Sequence, residues 1–316
     1  MQETKFKHII VEDINKMPDL NKFPTEPIPL NNDKWNELYL SRENRTFLQK
    51  NFSKMSNFND LAKVEVGITT GANNFFSLTD EEVKKLKAKA FVKPLLGRST
   101  LINGVFYDQA TFTSSQNTNK KVWLLDLNNC NQDSLPIELN QYIYLAELKH
   151  IHHAYKLRIR NKWYQIPGIW APQGFLSRRI GNIPKLVINK VNAVSTDTFH
   201  RIKIKENVNI NLLLIAFYSS PSLVSLELAG RVFGGGVLEI LPGDSKQFKL
   251  PNINYYDDTL LDHEICELNQ LMMTTNDVIK VSEYCDNILQ RKLGYKFDSI
   301  KFENILASLQ SLRQNT

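Results

Sequence analysis

The residues whose types could do chemistry are concentrated in a basic block in the middle of the chain. Twelve lysines and arginines lie between Lys149 and Lys205, against a single acid, Asp197, whereas the whole chain has a net charge of only +6. Because each neutralised phosphate releases condensed counterions, such a block predicts a polyanionic ligand. The alternative is a solvated basic surface that binds nothing. Aromatic residues within the block favour a nucleic acid, and they are Trp163, Tyr164, Trp170 and Phe175.

Three short segments combine glycine with polar side chains. Residues 66–76 contain two glycines and two threonines, which predict a tight turn with exposed hydroxyl and amide groups. Residues 169–174 shortly precede Arg178 and Arg179. Residues 229–242 contain three consecutive glycines near Arg231, so that backbone amides could approach a phosphate closely. The alternative to a phosphate contact is a flexible loop between a helix and a strand. We expect the triple glycine to follow no strand and to begin no helix.

Composition and cysteine usage narrow the class of protein. The hydrophobic fraction of 42% and the charged fraction of 23% are ordinary for a globular chain of about two domains. No apolar run reaches the roughly 18 residues of a membrane span, and residues 1–7 lack the apolar core of a signal peptide. An odd number of cysteines without CxxC spacing predicts reduced thiols, no zinc site and a cytoplasmic location. The histidines at 150, 152 and 153 have no nearby ligand of another type, so we expect no metal site.

The elements that must position these segments fall into three predicted regions. Residues 1–60 are an N-terminal segment with a strand within 6–14, an extended proline-rich linker and a helix over 34–52. Residues 61–256 mix strands and helices. The predicted strands lie at 122–125, 185–188 and 199–205, and the predicted helices at 139–149 and 210–218.

Residues 257–316 are predicted to be a helical tail. Thr259 and Asp277 fit helix starts, Gly294 fits a C-terminal cap, and a last helix runs from about Asp298. Because strands and helices do not alternate regularly along the chain, we predict an α+β fold. It would consist of a mixed, strand-rich domain followed by a helical C-terminal region.

Taken together and in this order, several segments resemble a known family. They are KW at 34–35, GITTGANNFF at 67–76, KPLLGRS at 93–99, GRVFGGGVLEILP at 230–242, LPNIN at 250–254 and ILQRKLGY at 288–295. From about Phe6 onward the chain is similar to the C-terminal target-recognition region of gamma-class N6-adenine DNA methyltransferases. These belong to bacterial type II restriction-modification systems, in the Eco57I, HindII, BsuBI and PstI-like group.

The resemblance implies a part in methyl transfer from S-adenosylmethionine to adenine N6 in duplex DNA. The chain has no Pro-Pro dipeptide, although the catalytic Asn/Asp/Ser-Pro-Pro-aromatic tetrapeptide of that chemistry needs one. It also has no glycine-rich strand-to-helix turn for S-adenosylmethionine. We therefore expect no catalytic residue, no bound cofactor and no activity of this chain alone. The cofactor is implied for a catalytic methyltransferase domain or subunit, which would be a partner and could dock on the apolar side of the strand within 6–14.

Double-stranded DNA is the other expected partner, and the residue types suggest its contacts. The candidates for reading base edges are Asn73, Asn74, Gln173, Asn189 and Arg231. The candidates for phosphate contacts are Thr69, Thr70, Lys156, Arg158, Arg160, Lys162, Arg178, Arg179, Lys190, Arg201, Lys203, Gly234 and Gly235. Two alternatives stay open: a specificity subunit of an active complex with a separate catalytic chain, and a non-enzymatic module that binds nucleic acid or protein.

Overall fold

The computed structural model describes residues 5–6, 19–22, 26–27, 37, 39–253 and 261–314. They belong to two compact units, Met1–Lys54 and Met55–Thr316. The strand predicted within 6–14 lies, beyond Phe6, outside the described residues, and so do Thr259 and most of the proline-rich linker.

The first unit contains a short antiparallel strand pair and one helix. β1 (Lys5–Phe6) pairs with β2 (Glu26–Pro27). α1 spans Arg42–Phe52, which confirms the predicted helix from Arg42 onward. The Ser41 hydroxyl accepts a hydrogen bond from the Asn44 amide at 3.2 Å. It thereby satisfies one of the amides that every helix start leaves without a partner.

The second unit is built around a five-stranded sheet. Its strands are β4 (Ala62–Val66), β7 (Phe106–Tyr107), β9 (Gly174–Ser177), β11 (Leu186–Asn189) and β13 (Phe199–Ile204). The spatial order is β4-β13-β9-β11-β7, and all neighbours are antiparallel except the parallel pair β11 and β7. The strands predicted at 185–188 and 199–205 are therefore confirmed.

The central sheet separates two hydrophobic cores, because successive side chains of a strand point to opposite faces. Leu176, Ile188 and Ile202 enter the core on one face. Phe175 and Phe199 enter the core on the other face. The sheet is thus covered on both sides, which makes it the rigid support of the surfaces described below.

A second, four-stranded sheet closes the core that contains Phe175. Its strands are β5 (Ser77–Leu78), β6 (Val92–Leu96), β8 (Trp123–Leu125) and β12 (Val194–Ser195), in the order β12-β6-β8-β5. Helices α4 (Asp80–Lys85), α5 (Gln109–Asn117) and α6 (Ile137–Leu148) add buried side chains to the same core. The strand predicted at 122–125 and the helix predicted at 139–149 are confirmed.

Helices form the core on the opposite face of the central sheet. They are α8 (Ile210–Tyr218), α9 (Ser220–Ala229), α10 (Asp262–Thr274), α11 (Val278–Asn287) with a π-helical continuation over Ile288–Lys292, and α12 (Ser299–Gln314). Asp277 caps α11 as predicted, since its Oδ1 accepts from the amide of Ile279 at 3.0 Å. α10 and α11 bury side chains in the same core as β4 and β13. The predicted division near residue 256 is therefore not visible as a break in packing.

None of the described helices is, by itself, long and apolar enough to span a membrane. α8 and α9 pass that test only as a pair, and a bend of 71° separates them.

Three strands form a small antiparallel sheet at the edge of the unit. They are β10 (Arg179–Ile180), β14 (Arg231–Phe233) and β15 (Val237–Glu239), with β15 in the middle. The triple glycine therefore connects two paired strands. The expectation that it follows no strand was wrong, since β14 directly precedes it. The sequence did not reveal β14, because a strand of three residues, one of them an arginine, is too short to show a periodic pattern.

The remaining elements are short. β3 (Ser56–Asn57) pairs with β16 (Lys249–Leu250). Three four-residue helices are α2 (Phe58–Leu61), α3 (Asn73–Phe76) and α7 (Tyr155–Arg158). The whole arrangement is α+β, as predicted.

Candidate nucleic-acid interface

Residues 67–76, here called the Thr-Gly loop, connect the end of β4 to α3 and β5. The Thr70 hydroxyl donates to Oδ1 of Asn73 and accepts from the Ala72 amide. These bonds consume the Thr70 side chain, which is buried. Thr69, Asn73 and Asn74 are exposed. The loop is thus a fixed turn that presents one hydroxyl and two amide side chains to solvent.

Arg160 holds the Thr-Gly loop against the basic block. Its Nη2 donates to the carbonyl oxygens of Thr69 at 3.0 Å and Thr70 at 2.8 Å. The contact is close on the other side as well, because a Cβ atom at Gly71 would lie only 2.9 Å from Cβ of Lys156. Arg160 was predicted to contact phosphate, but its guanidinium is occupied by backbone oxygens. Its role in the structure is to join two segments that are far apart in sequence.

Two aromatic rings pack against Phe75 of the Thr-Gly loop, and one of them, Trp163, belongs to the basic block. Phe75 stacks on Tyr142, with ring centroids 4.8 Å apart and nearly parallel planes, and Trp163 lies 4.8 Å from Phe75 on another side. The Tyr142 hydroxyl donates to the carbonyl oxygen of Phe75 at 2.9 Å. Tyr164 and Phe175 are buried. Two of the four aromatics that favoured a nucleic acid therefore pack inside the protein, whereas Trp163 and Trp170 are half-buried. Another ring of the basic block, Tyr155, is 63% exposed.

Three cations next to the Thr-Gly loop are exposed. Lys156, Arg158 and Lys162, here called the basic ridge, form no ion pair with any carboxylate among the residues that the structure describes. Arg158 lies over the Tyr155 ring, with its guanidinium carbon 5.5 Å from the ring centroid. The ridge combines unneutralised positive charge with the exposed amides of Asn73 and Asn74, which is what contact with a polar anion requires.

Several other predicted contacts are used inside the protein. Arg201 donates to the carbonyl oxygens of Val66 at 3.0 Å and Gly168 at 2.7 Å, and its guanidinium lies 4.5 Å from the Trp170 ring centroid. Arg178 donates to Glu239 at 3.0 Å. These two guanidiniums hold loops and strands in place.

The amide side chains of Asn189 and Gln173 are also engaged. Nδ2 of Asn189 donates to the carbonyl oxygens of Pro172 and Ala193, both at 2.8 Å, and its Oδ1 accepts from the Ala193 amide at 3.0 Å. Oε1 of Gln173 accepts from the Ile204 amide at 2.8 Å. Asn189 therefore has little hydrogen-bonding capacity left for a base.

Two predicted phosphate contacts lie on the central sheet away from the ridge. Lys203 is exposed on β13, and it is registered opposite Lys63 of β4. Lys190 follows β11, and its ammonium lies 3.5 Å from the centroid of the Phe106 ring. The structure does not bring either of them to the Thr-Gly loop.

Residues 231–239, here called the glycine hairpin, form the second exposed surface. Gly235 and Gly236 have φ angles of +76° and +70°, which L side chains rarely adopt. A Cβ atom added at Gly234 or Gly235 would meet no other atom within 4 Å, so the tip projects into open space. A Cβ atom at Gly236, in contrast, would lie 3.2 Å from Cα of Gln314. The tip is open while its base is packed.

The two faces of the three-stranded sheet differ in character. Arg179 and Arg231 are both registered opposite Glu239, so the three side chains form one row on the outer face. Ile180 and Val232 are registered opposite Leu238 on the other face, where Ile180 and Leu238 are buried and Val232 is 38% exposed. Phe233, two residues after Arg231, lies on the outer face with the arginines.

An acid orients each exposed arginine of the outer face. Nη1 of Arg231 donates to Oδ2 of Asp244 at 2.9 Å, and Asp244 is itself buried. Nε of Arg179 lies 3.5 Å from Oε1 of Glu239, while most of the Arg179 side chain is exposed. The charges of this face are largely balanced, so it suits directed hydrogen bonding better than general attraction of anions.

Arg313, on the last helix, fixes the base of the glycine hairpin. Its guanidinium is buried and donates to the carbonyl oxygens of Gly236 and of Gly181, the latter at 2.7 Å. The sequence predicted a last helix from about Asp298, but it carried no signal that a charged residue of this helix would turn inward.

A polar cleft of about 460 Å³ lies beside the hairpin, between Arg179, Asn182 and the end of α10. Lys185 lines it, but the Lys185 ammonium donates to the carbonyl oxygens of Ser99 and Ile102 at 2.7 and 2.5 Å. Burial accordingly lowers the pKa of Lys185. Its ammonium is therefore committed to the protein backbone.

Comparison with known proteins places this architecture in a family. The model of the family described as "Type II methyltransferase M.Eco57I, C-terminal domain" matches residues 32–290. This chain belongs to the M.Eco57I C-terminal domain family. The resemblance predicted from the sequence motifs is confirmed.

Two relatives extend the comparison. The chain is 20% identical over 304 residues to Type II methyltransferase M.AccI of Acinetobacter calcoaceticus, in an alignment that covers 90% of this chain and 55% of M.AccI. It thus spans about half the length of that relative. It superposes on the type IIG restriction endonuclease BpuSI with a TM-score of 0.53 and 12% identity, over 88% of this chain and 33% of BpuSI. At that identity the superposition shows a shared fold.

The M.Eco57I C-terminal domain match includes the Thr-Gly loop, the basic ridge and the glycine hairpin, and it ends before α12.

The glycine hairpin does not fit S-adenosylmethionine, because its glycines join two antiparallel strands and no helix begins after them. Within the described residues, no three His, Cys, Asp or Glu side chains are placed to hold a metal ion. The histidines at 150, 152 and 153 pack ring against ring, with centroids 4.3 to 6.4 Å apart.

Proposed function

We propose that this chain recognises a specific sequence of duplex DNA, as the target-recognition part of an adenine-N6 DNA methyltransferase in a restriction-modification system. Family membership supports the link to restriction-modification. The observation that carries the proposal is that Arg160 joins the Thr-Gly loop to the basic ridge. This bond holds the Thr-Gly loop, with its two exposed asparagine amides, against the segment that carries three exposed cations.

The basic ridge supplies the contacts that do not depend on sequence. Lys156, Arg158 and Lys162 neutralise phosphates, and this positions the duplex. Lys203 and Lys190 lie on another part of the sheet and are not required. Arg160, Arg178 and Arg201 act indirectly, by holding the loops in place.

The specific contacts come from the Thr-Gly loop and the glycine hairpin. Asn73 and Asn74 suit adenine, whose N6 and N7 groups pair with an amide, and Arg231 suits guanine. Asp244 holds Arg231 through one nitrogen only, so the other guanidinium nitrogens are available to a base. The amides of Gly234 and Gly235 can approach a phosphate because no side chain stands in the way.

The methyl-transfer chemistry belongs elsewhere in this proposal. S-adenosylmethionine and the catalytic residues reside in a catalytic domain or subunit, which this chain directs to its target. Cys130, Cys266 and Cys285 form no disulfide, and we expect the complex to function in the cytoplasm.

The first test is selection of random duplex DNA on the purified protein at about 100 mM salt, where phosphate contacts still hold. Enrichment of one short motif that contains adenine supports the proposal. Binding to duplex DNA without enrichment overturns the claim of sequence recognition. Equal affinity for random DNA and RNA points instead to a general nucleic-acid-binding module.

A second test separates the basic ridge from net charge. The variant K156Q/R158Q/K162Q removes three ridge cations, and the control variant K280Q/R291Q/K296Q removes three exposed cations of the C-terminal helical region. The slope of log K against log salt should fall by about 0.9 for each lost phosphate contact, hence by nearly three in the ridge variant. The control should keep its slope. An unchanged slope in the ridge variant excludes the ridge as the phosphate surface.

A further inference from the structure

The glycine hairpin exposes an aromatic ring at its tip. Phe233 is 50% exposed and is the last residue of β14 before Gly234. The three glycines that follow have no side chains, so the turn itself does not cover the ring. The ring is therefore available for stacking on a group outside the protein, and the residues around it indicate which group that is.

The base of the hairpin is held firmly, so the ring is presented in a fixed direction. Arg313 donates to the Gly236 carbonyl oxygen at the end of the turn. Arg231 is tied to Asp244 at 2.9 Å at the start of the hairpin. These two bonds fix the strand ends on either side of the tip that carries the ring.

The surroundings of Phe233 indicate the chemistry of its partner. Arg231 and Arg179 lie on the same outer face, one on each side of β15. An aromatic ring flanked by two guanidiniums, each oriented by an acid, is complementary to stacked bases whose edges accept directed hydrogen bonds. A protein partner would need a larger apolar area, but Val237 is the one other apolar residue that the three strands place on this face.

We propose that Phe233 inserts between two neighbouring base pairs of the bound duplex and opens that base step. The inference rests on the proposed function, namely that the chain binds duplex DNA. It adds one contact residue, Phe233, and a way of recognising DNA sequence through the opening of a base step. Insertion is easiest at flexible pyrimidine–purine steps. The ring therefore contributes to sequence preference at a position where no hydrogen bond to a base is made.

The test uses duplexes that carry the selected motif with 2-aminopurine at successive positions, because the fluorescence of this base rises when it loses a stacking neighbour. The wild-type chain should raise the fluorescence several-fold at one step. The variant Phe233→Ala should lose that rise and bind roughly tenfold more weakly, since a base stacked on an aromatic ring contributes about that factor. Phe233→Leu, which keeps an apolar wedge, should retain part of both effects.

Ile300→Ala is the matched control, because Ile300 is 70% exposed on α12 and lies on no surface assigned to DNA. It should behave as wild type. If wild type binds the duplex but raises no fluorescence at any position, insertion is refuted while the proposed function stands. If Phe233→Ala keeps both the rise and the affinity, the ring is not the wedge. Absence of DNA binding by the wild-type chain would overturn both proposals.

Discussion

Arg313 and Glu227 form a bidentate ion pair in the interior of the protein, with Nε to Oε2 at 3.0 Å and Nη2 to Oε1 at 2.9 Å. The pair joins α12 to α9, and both side chains are buried. The remaining guanidinium nitrogen serves backbone carbonyl oxygens at Gly181 and Gly236. One side chain therefore links the last helix to the two strand connections that shape the glycine hairpin.

Replacement of Arg313 by methionine should destabilise the protein strongly. It removes the cation from the buried Glu227 carboxylate and the donor from Gly236, and breaking one side of a buried ion pair costs about 3–5 kcal/mol. Urea unfolding measures the change in the free energy of unfolding. The exposed Arg291→Met is the control and should change it by less than about 0.5 kcal/mol.

The double replacement Arg313→Met with Glu227→Leu should recover part of that loss. No uncompensated charge then remains in the interior, although the carbonyl oxygens of Gly181 and Gly236 still lack a donor. A double variant as unstable as Arg313→Met would show that the carbonyl bonds matter more than the ion pair.

Gly236 and Gly234 should respond differently to alanine. Gly236→Ala forces an L side chain into φ +70° and against Gln314, so a loss of about 1–3 kcal/mol is expected. Gly234→Ala meets no neighbour within 4 Å and should leave stability nearly unchanged. If the Gly234 amide approaches a phosphate, this same variant should weaken DNA binding, which separates the structural glycine from the binding one.

Arg160 and Arg158 lie two residues apart, but we expect replacement of Arg160 to lower stability and replacement of Arg158 to lower DNA affinity. Arg160→Met removes donors from the carbonyl oxygens of Thr69 and Thr70, and a loss of about 1.5–3 kcal/mol is expected for hydrogen bonds to a charged group. Arg158→Met should not change stability but should lower DNA affinity. Hydrogen exchange of the Thr-Gly loop amides would provide a local readout, and equal protection in both variants would contradict the assignment.

Asp286 should make stability depend on pH. Burial raises the pKa of its carboxyl group to about 7, and the carboxylates of Glu303 and Glu283 add to the rise, although Ser220 donates to it through its amide and hydroxyl. Because the folded state then holds the proton more tightly than the unfolded state does, this contribution to stability is complete below about pH 4. It is lost as the pH rises toward about 7, and the free energy of unfolding thereby falls by about 4 kcal/mol at most.

The variant Asp286→Asn keeps a polar group beside Ser220 but does not titrate. Urea unfolding at several values between about pH 5 and about pH 7.5 should show a smaller decline of the free energy of unfolding than in wild type. Parallel curves for the two proteins would mean that the carboxyl group titrates normally in the folded state.

The local elements of this protein were accessible from its sequence. The alternation of Ile202 and Ile204 with basic residues predicted β13, and Asp277 predicted the start of α11, because both signals depend on neighbours within a few residues. The α+β class and the family resemblance followed from the order of such segments and from motifs that read directly along the chain.

Whether each cationic side chain is exposed to a ligand or bonded inside the protein could be decided only by the tertiary structure. Arg158 and Arg160 have the same side chain and nearly the same sequence context, yet one is exposed and the other holds a loop 91 residues away. The same holds for Asn189 and for Arg313, whose partners come from distant segments. Whether a polar group is available to a ligand depends on which backbone oxygens fold against it, and that is a property of packing that no local pattern encodes.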